Sequence, residues 1–128
     1  MEKRRILVVD DEEDICIFLK DILARVGFEV YTALSGQQAM EIFKKYKPHA
    51  CIIDVHMPFS EYDGIEVLRR IKELDKKTNC VMITRIDDDE KITEAASLGA
   101  QEYLIKPVRL EKLKELAESL KADTPSKK

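Results

Sequence analysis

The amino-acid sequence predicts an α/β fold in which five parallel strands form one sheet and five helices cover its two faces. Two patterns predict it. Short apolar runs recur along the 128 residues, and the stretches between them place apolar residues at the 3.6-residue period of a helix. Strands and helices that alternate in this way form a parallel sheet with helices on both faces, because right-handed crossovers place them there. With 45% apolar residues, the chain is large enough to bury a core as one domain.

The first two units are marked by clear start and stop signals. The apolar run at residues 6–9 is the first strand, and Gly27 ends the amphipathic helix that follows it. Residues 28–33 form a second, more polar strand, which we expect at an edge of the sheet. Ser35 and Gln38 fit a capping box that opens the second helix.

The third and fourth units repeat the pattern. Pro48 precedes the third strand, which is the apolar run at residues 50–53. Asp63 is the predicted N-cap of the third helix. The run at residues 80–83 is the fourth strand. The acidic run at residues 87–90 suits the N-terminus of the fourth helix, where the helix dipole is positive.

The last unit completes the domain. Gly99 ends the fourth helix, and residues 102–105 form the fifth strand. A leucine-rich amphipathic helix follows. We predict that residues 1–121 form the domain and that residues 122–128 are a polar tail or the start of a linker.

Composition excludes several classes of protein. A net charge of -3 and a pI near 5.5 argue against direct contact with nucleic acid, because such domains usually carry a basic excess. The longest apolar stretch, residues 15–19, is far too short to span a membrane. Cys16, Cys51 and Cys80 lie within apolar runs, as expected of reduced core residues in a cytoplasmic protein.

Each of four strands is followed or ended by a polar residue. Asp10 and Asp11 follow the first strand, Asp54 the third, Thr84 the fourth and Lys106 the fifth. A doubly wound, flavodoxin-like sheet in the order 2-1-3-4-5 has its switch point between the first and third strands. Ligands of such sheets bind at the carboxyl ends of the strands, so these side chains are predicted to form one site.

The three aspartates favour a Mg²⁺ site. Carboxylates that lie close together repel one another, and a divalent cation with hard oxygen ligands relieves the repulsion. Two alternatives remain open: Asp10 and Asp11 could simply cap the following helix, and Lys106 could form a plain structural ion pair. Thr84 could donate a hydrogen bond to a phosphoryl oxygen or be an ordinary strand-end threonine.

These residues and their neighbours resemble the response-regulator receiver domain of bacterial two-component signalling over nearly the whole chain. The matching segments are residues 6–12 (ILVVDDE), 53–58 (IDVHMP), 63–64 (DG), 83–84 (IT), 99–100 (GA) and 103–107 (YLIKP).

The resemblance implies a role for each acidic residue. Asp54 would accept a phosphoryl group from the phosphohistidine of a sensor histidine kinase or phosphotransfer protein. Asp11, Asp54 and the main-chain carbonyl of His56 would ligate Mg²⁺, with Asp10 acting directly or through water. The chain would catalyse only its own phosphorylation and dephosphorylation.

The resemblance also implies a switch. Thr84 and Lys106 would hold the phosphoryl oxygens, and Tyr103 would turn inward behind Thr84. This movement would remodel the face formed by the fourth helix, the fifth strand and the fifth helix. A downstream effector, or a second copy in a phosphorylation-dependent homodimer, would recognise that face.

Two features depart from the family pattern. The loop at residues 57–64 is two residues longer than the usual Met-Pro-Gly-Met-Asp-Gly, and Arg85 replaces the usual Ala or Gly after the threonine. We predict that Arg85 alters phosphodonor access or the rate of dephosphorylation, unless it simply points to solvent. A degenerate receiver that works without phosphorylation is the alternative function. A Mg²⁺-dependent phosphohydrolase is disfavoured, because His56 occupies the place of its second aspartate.

Overall fold

A computed structural model of the chain describes residues 3–85 and 89–122. Five parallel strands form one sheet in the order β2-β1-β3-β4-β5. The strands are β1 (Arg5–Val9), β2 (Glu29–Ala33), β3 (Ala50–Asp54), β4 (Asn79–Thr84) and β5 (Glu102–Ile105). The predicted flavodoxin-like order is confirmed, and β2 lies at an edge of the sheet as expected.

Five helices alternate with the strands. They are α1 (Glu13–Val26), α2 (Gly36–Tyr46), α3 (Gly64–Leu74), α4 (Asp89–Ser97) and α5 (Leu110–Ala122). Of the predicted acidic run, Asp89 and Glu90 form the first turn of α4, while Asp87 and Asp88 lie outside the described residues.

The helices cover the sheet on both faces because strand side chains alternate in direction. Val8 and Ile52 pack against α1 and α5 in one apolar cluster. Leu7 and Ile53 pack against α2, α3 and α4 in the other. The strands in the middle of the sheet are therefore buried on both sides, which explains their continuous apolar runs.

The predicted helix ends have the expected geometry. The Ser35 hydroxyl accepts a hydrogen bond from the Gln38 backbone N–H at 3.1 Å. The Asp63 carboxylate accepts one from Glu66 at 2.9 Å. Gly27 ends α1 with φ of 119°, in the left-handed region that favours glycine.

The strand register aligns the polar strand ends. Val9 pairs with Ile53, which places the next residues, Asp10 and Asp54, side by side. Asp54 pairs in turn with Ile83, at the end of β4. The carboxyl ends of β1, β3 and β4 therefore meet at one edge, where the site was predicted.

The last helix ends close to the predicted domain boundary at residue 121. Helix α5 continues through Ala122, which had been assigned to the tail, and residues 123–128 lie outside the described part of the chain. No helix within residues 3–85 and 89–122 is both long and apolar enough to cross a lipid bilayer.

Candidate functional site

Three carboxylates converge where β1 and β3 end. Asp10, Asp11 and Asp54 each offer one oxygen, and these oxygens lie within 4.8 Å of one another. Asp10 is fully buried and Asp54 is only 2% exposed, whereas Asp11 is half-buried. Two of the three charges are thus held in a poorly hydrated environment.

Lys106 lies at the centre of the site. Its ammonium nitrogen is 3.2 Å from Asp54 Oδ2, 3.4 Å from Asp10 Oδ2 and 3.3 Å from Glu12 Oε1. A single cation therefore faces three carboxylates, and the third of them, Glu12, was not singled out from the sequence.

Burial has the largest effect on the pKa values of Asp10 and Asp54. It raises the pKa of Asp10 from 3.8 to about 6, and the Asp54 charge adds to the rise. Burial also raises the pKa of Asp54, while Lys106 and the His56 N–H lower it. Burial disfavours the charged form of Lys106, but attraction to Asp54 and Asp10 outweighs burial and raises the pKa of Lys106. Desolvation, more than the predicted mutual repulsion, therefore sets the charge balance.

The donor set fits a hard divalent cation. Asp10 Oδ1 accepts a hydrogen bond from the Glu12 N–H at 2.8 Å. Asp10 Oδ2 is buried, and its contact with the Lys106 ammonium at 3.4 Å is an ion pair rather than a hydrogen bond. A buried carboxylate oxygen of this kind, beside two other carboxylates, is suited to Mg²⁺.

The structure excludes the alternative that Asp10 and Asp11 cap helix α1. The N-cap of α1 is Glu12, and the helix itself begins at Glu13. Neither Asp10 nor Asp11 caps the helix, so the two carboxylates remain directed to the site.

The backbone around Asp54 fixes the direction of its carboxylate. Asp54 Oδ1 accepts a hydrogen bond from the His56 N–H at 3.2 Å, which leaves Oδ2 facing Lys106. Gly64 packs so closely behind Asp54 that an added Cβ would lie 1.9 Å from its carbonyl oxygen. Only glycine fits at the start of α3.

Thr84 and Tyr103 are near the site but are not bonded to it. Thr84 is 1% exposed at the end of β4, and its hydroxyl donates a long hydrogen bond of 3.4 Å to the Arg85 carbonyl. The half-buried Tyr103 donates from its hydroxyl to the Ile92 carbonyl in α4 at 3.3 Å. Tyr103 therefore links β5 to α4.

Asp54 borders a pocket of about 740 Å³. On the α4 side, Arg85 and Lys91 line the pocket, and both residues carry positive charge. Arg85 is also exposed to solvent, and its effect on the phosphodonor stays a prediction. Phe59 lies on the opposite, β3–α3 side.

The two histidines do not form a common site. His49 precedes β3 and accepts a hydrogen bond from the Arg5 backbone N–H through Nδ1. His56 follows the same strand at its other end and lines the pocket. The His56 side chain is half-buried.

A sequence model of one family, described as the response regulator receiver domain, matches residues 6–118. The chain belongs to the response-regulator receiver family. Members of this family are phosphorylation-type switches of two-component signalling rather than classical enzymes. They generally bind Mg²⁺ at an acidic pocket and interact with histidine kinases or phosphotransfer proteins and with effector domains.

Individual relatives agree with this assignment. The chain is 35% identical to the chemotaxis protein CheY of Bacillus subtilis over 112 residues, which cover 87% of this chain and 92% of that protein. It is 30% identical to the sporulation initiation phosphotransferase F of the same organism, over 90% and 91% of the two chains. The receiver domain of NtrX from Brucella abortus superposes with a TM-score of 0.86 at 30% identity, over 93% of this chain and 99% of that one.

Within this receiver domain, three features of the site were missed from the sequence. Glu12 directly follows the aspartate pair, and that adjacency was an available signal. The contact of Lys91 with the pocket depends on how α4 packs, which no sequence pattern shows. Phe59 lies in the lengthened loop that the sequence had flagged, although its position beside the pocket had not been predicted.

Proposed function

We propose that this chain is a phosphoacceptor switch in which Asp54 takes a phosphoryl group from the phosphohistidine of a sensor kinase or phosphotransfer protein. One observation carries the proposal. Asp54 is nearly buried, yet its carboxylate borders an open pocket and lies 3.2 Å from the Lys106 ammonium. A carboxylate in that setting is a nucleophile with its counter-charge already in place.

Phosphoryl transfer requires the protein mainly to position the reacting groups and to neutralise charge. An oxygen of Asp54 attacks phosphorus, the bond from phosphorus to the donor's imidazole nitrogen breaks, and the imidazole keeps the electron pair. Asp11, Asp54 and the main-chain carbonyl of His56 would hold Mg²⁺, with Asp10 acting directly or through water. When bound, Mg²⁺ supplies positive charge beside the phosphoryl oxygens.

Lys106 and Thr84 would hold the product. Lys106 already contacts Asp54 Oδ2 and needs only a small movement to meet a phosphoryl oxygen on that carboxylate. The Thr84 hydroxyl makes a long hydrogen bond to the Arg85 carbonyl and can exchange it for a charged acceptor. Tyr103 would then lose its bond to Ile92 and turn inward behind Thr84.

Phosphorylation would be signalled to a partner through the face formed by α4, β5 and α5. This face includes exposed apolar residues at the end of β5 and the start of α5, where Ile105 is 47% and Leu110 is 40% exposed. Tyr103 bonds directly to α4 in this face, so its movement would change how α4 lies against β5. We propose that a downstream effector, or a second copy of the chain, binds here.

The buried free thiols Cys16, Cys51 and Cys80 favour a reducing, cytoplasmic setting.

Mass spectrometry of the intact protein tests the proposal. The chain is incubated with phosphoramidate and Mg²⁺, and we expect a mass gain of one phosphoryl group. Asp54→Asn should abolish the gain, and the matched control Asp21→Asn, at an exposed position on α1, should keep it. A wild-type mass that does not change would instead indicate a receiver that works without phosphorylation.

A further inference from the structure

The lengthened loop between β3 and α3 is fastened to the start of α2. The Ser60 hydroxyl accepts a hydrogen bond from the Gly36 N–H at 2.7 Å and donates one to the Tyr62 carbonyl at 2.7 Å. The Gln37 amide donates to Glu61 at 2.9 Å. Residues of the lengthened loop therefore form a clamp across to α2.

Tyr62 secures the far side of the same loop. Its ring lies under the Arg70 guanidinium, 3.9 Å from the ring centroid, and packs against the apolar cluster beneath α2 and α3. The loop backbone also approaches α2 closely, because a Cβ on Gly36 would lie 2.5 Å from the Tyr62 carbonyl oxygen. Residues 60–62 are thus held by hydrogen bonds, by ring contacts and by close packing.

Phe59 precedes this clamp and is almost completely exposed. Its side chain is 96% exposed, the highest value among the exposed large hydrophobic side chains in the described part of the chain, where Ile17 is next at 60%. The same residue lines the pocket that contains Asp54. An aromatic ring is therefore exposed to water at the rim of the phosphoacceptor site.

A ring in this position suits a protein partner better than a small molecule. A small phosphodonor can enter the pocket and reach Asp54 without covering the exposed ring. A protein that delivers a side chain to Asp54 has to cover the rim of the pocket as well. Buried aromatic anchors carry much of the energy of protein interfaces, and a segment that is already ordered loses little entropy on binding.

We propose that Phe59 is a specificity-determining residue for the phosphodonor, a protein that carries phosphohistidine with an apolar surface beside it. Ser60 is the positioning residue that holds the ring at the rim. The inference rests on the proposed function, since it concerns the donor to Asp54. It assigns the two-residue extension of the loop to partner choice rather than to the chemistry of transfer.

The test compares one variant with two donors. Phosphoramidate is the small donor. The protein donor is the autophosphorylated kinase core that phosphorylates the wild-type chain fastest, chosen from the sensor kinases of the organism that encodes it. Phe59→Ala should slow transfer from the kinase core roughly tenfold at limiting concentration and leave the phosphoramidate rate unchanged.

Further variants distinguish the specific effect of the Phe59 ring from the effect of removing any exposed apolar side chain. Phe59→Trp should restore most of the transfer rate, because it keeps an aromatic anchor. Ser60→Ala should slow transfer from the kinase core alone, since it releases the clamp. Leu74→Ala is the matched control, because Leu74 is 55% exposed at the other end of α3, and it should behave as wild type.

The possible failures are distinguishable. If neither donor phosphorylates the wild-type chain, the proposed function itself fails, and this inference fails with it. If phosphoramidate works but no kinase core does, or if Phe59→Ala changes both rates equally or neither of them, the inference is overturned and Asp54 remains a phosphoacceptor.

Discussion

The Lys106 ammonium lies 3.2 Å from Asp54 Oδ2, although 52 residues separate the two in the sequence and β4 lies between their strands. Lys106 therefore reaches across the end of β4 to the acidic pair on β1 and β3. This ion pair joins both halves of the sheet at the site, and a phosphoryl group on Asp54 would enter the same space. Under the proposed function, both the phosphoryl transfer and the switch would depend on this ion pair.

Replacing Lys106 should slow phosphorylation sharply. Lys106→Met keeps most of the side-chain volume but removes the charge that faces the incoming phosphoryl oxygens. We expect the initial rate with phosphoramidate and Mg²⁺ to fall roughly 100-fold or more, as for the loss of other preorganised electrostatic groups. The rate is measured from intact mass over time. Lys112→Met, at an exposed position on α5, serves as control, and a wild-type rate in Lys106→Met would rule out the role given to Lys106.

Asp10 should make the metal-free protein less stable as the pH rises. Its pKa in the folded state is about 6, above the ordinary 3.8, so the folded state holds this proton more tightly than the unfolded state. The stabilisation is complete below the ordinary pKa and is lost as the pH rises through about 6. At pH 7.5 in EDTA, Asp10→Asn should therefore raise the free energy of unfolding by about 1–3 kcal/mol.

Urea unfolding at several pH values checks this expectation. The gain from Asp10→Asn should shrink towards pH 4, where the wild-type carboxyl is protonated in the folded protein. The exposed Asp21→Asn variant should show no comparable trend. A gain of equal size at pH 4 and pH 7.5 would show that ionisation of Asp10 is not its cause.

Mg²⁺ should stabilise the folded protein through the acidic cluster. A ligand that binds only the folded state adds about 1.4 kcal/mol at a concentration ten times its dissociation constant. We expect MgCl₂ to raise the melting temperature relative to KCl of equal ionic strength, and Asp11→Asn to remove most of that rise. An equal rise in the Asp11→Asn variant would place the metal elsewhere.

Arg85 should assist an anionic donor to enter the pocket. Its guanidinium lines the pocket beside Lys91, so it raises the local concentration of anions near Asp54. We expect Arg85→Ala to slow phosphorylation by acetyl phosphate severalfold, with a smaller difference at high salt because exposed charges are screened. Arg85→Lys keeps the charge and should stay close to wild type. Unchanged kinetics of both phosphorylation and decay in Arg85→Ala would leave Arg85 as a plain surface residue.

The sequence predicted the strand-end residues well for a physical reason. Parallel strands present their carboxyl ends at one edge, so Asp10, Asp54 and Lys106 could be brought together without knowing any side-chain position. Thr84 was located at the same edge, but its hydrogen bond to the Arg85 carbonyl was not foreseeable, because it depends on a rotamer.

The remaining features depend on tertiary packing. The contact of Ser60 with Gly36 joins residues 24 apart through the exact path of a loop. The pKa of Asp10 is set mainly by how deeply the carboxyl is buried, whereas the sequence could indicate only the neighbouring charges. The predicted domain end at residue 121 remains a prediction, with α5 described through Ala122.

The most direct test of the central claim is to locate the phosphoryl group on the chain. Borohydride reduces an aspartyl phosphate to homoserine, which peptide mass spectrometry assigns to one residue. After treatment with phosphoramidate and Mg²⁺, we predict homoserine at position 54 and at no other aspartate. Homoserine at Asp10 or Asp11, or a phosphorylated chain in which position 54 is still aspartate, would contradict the account.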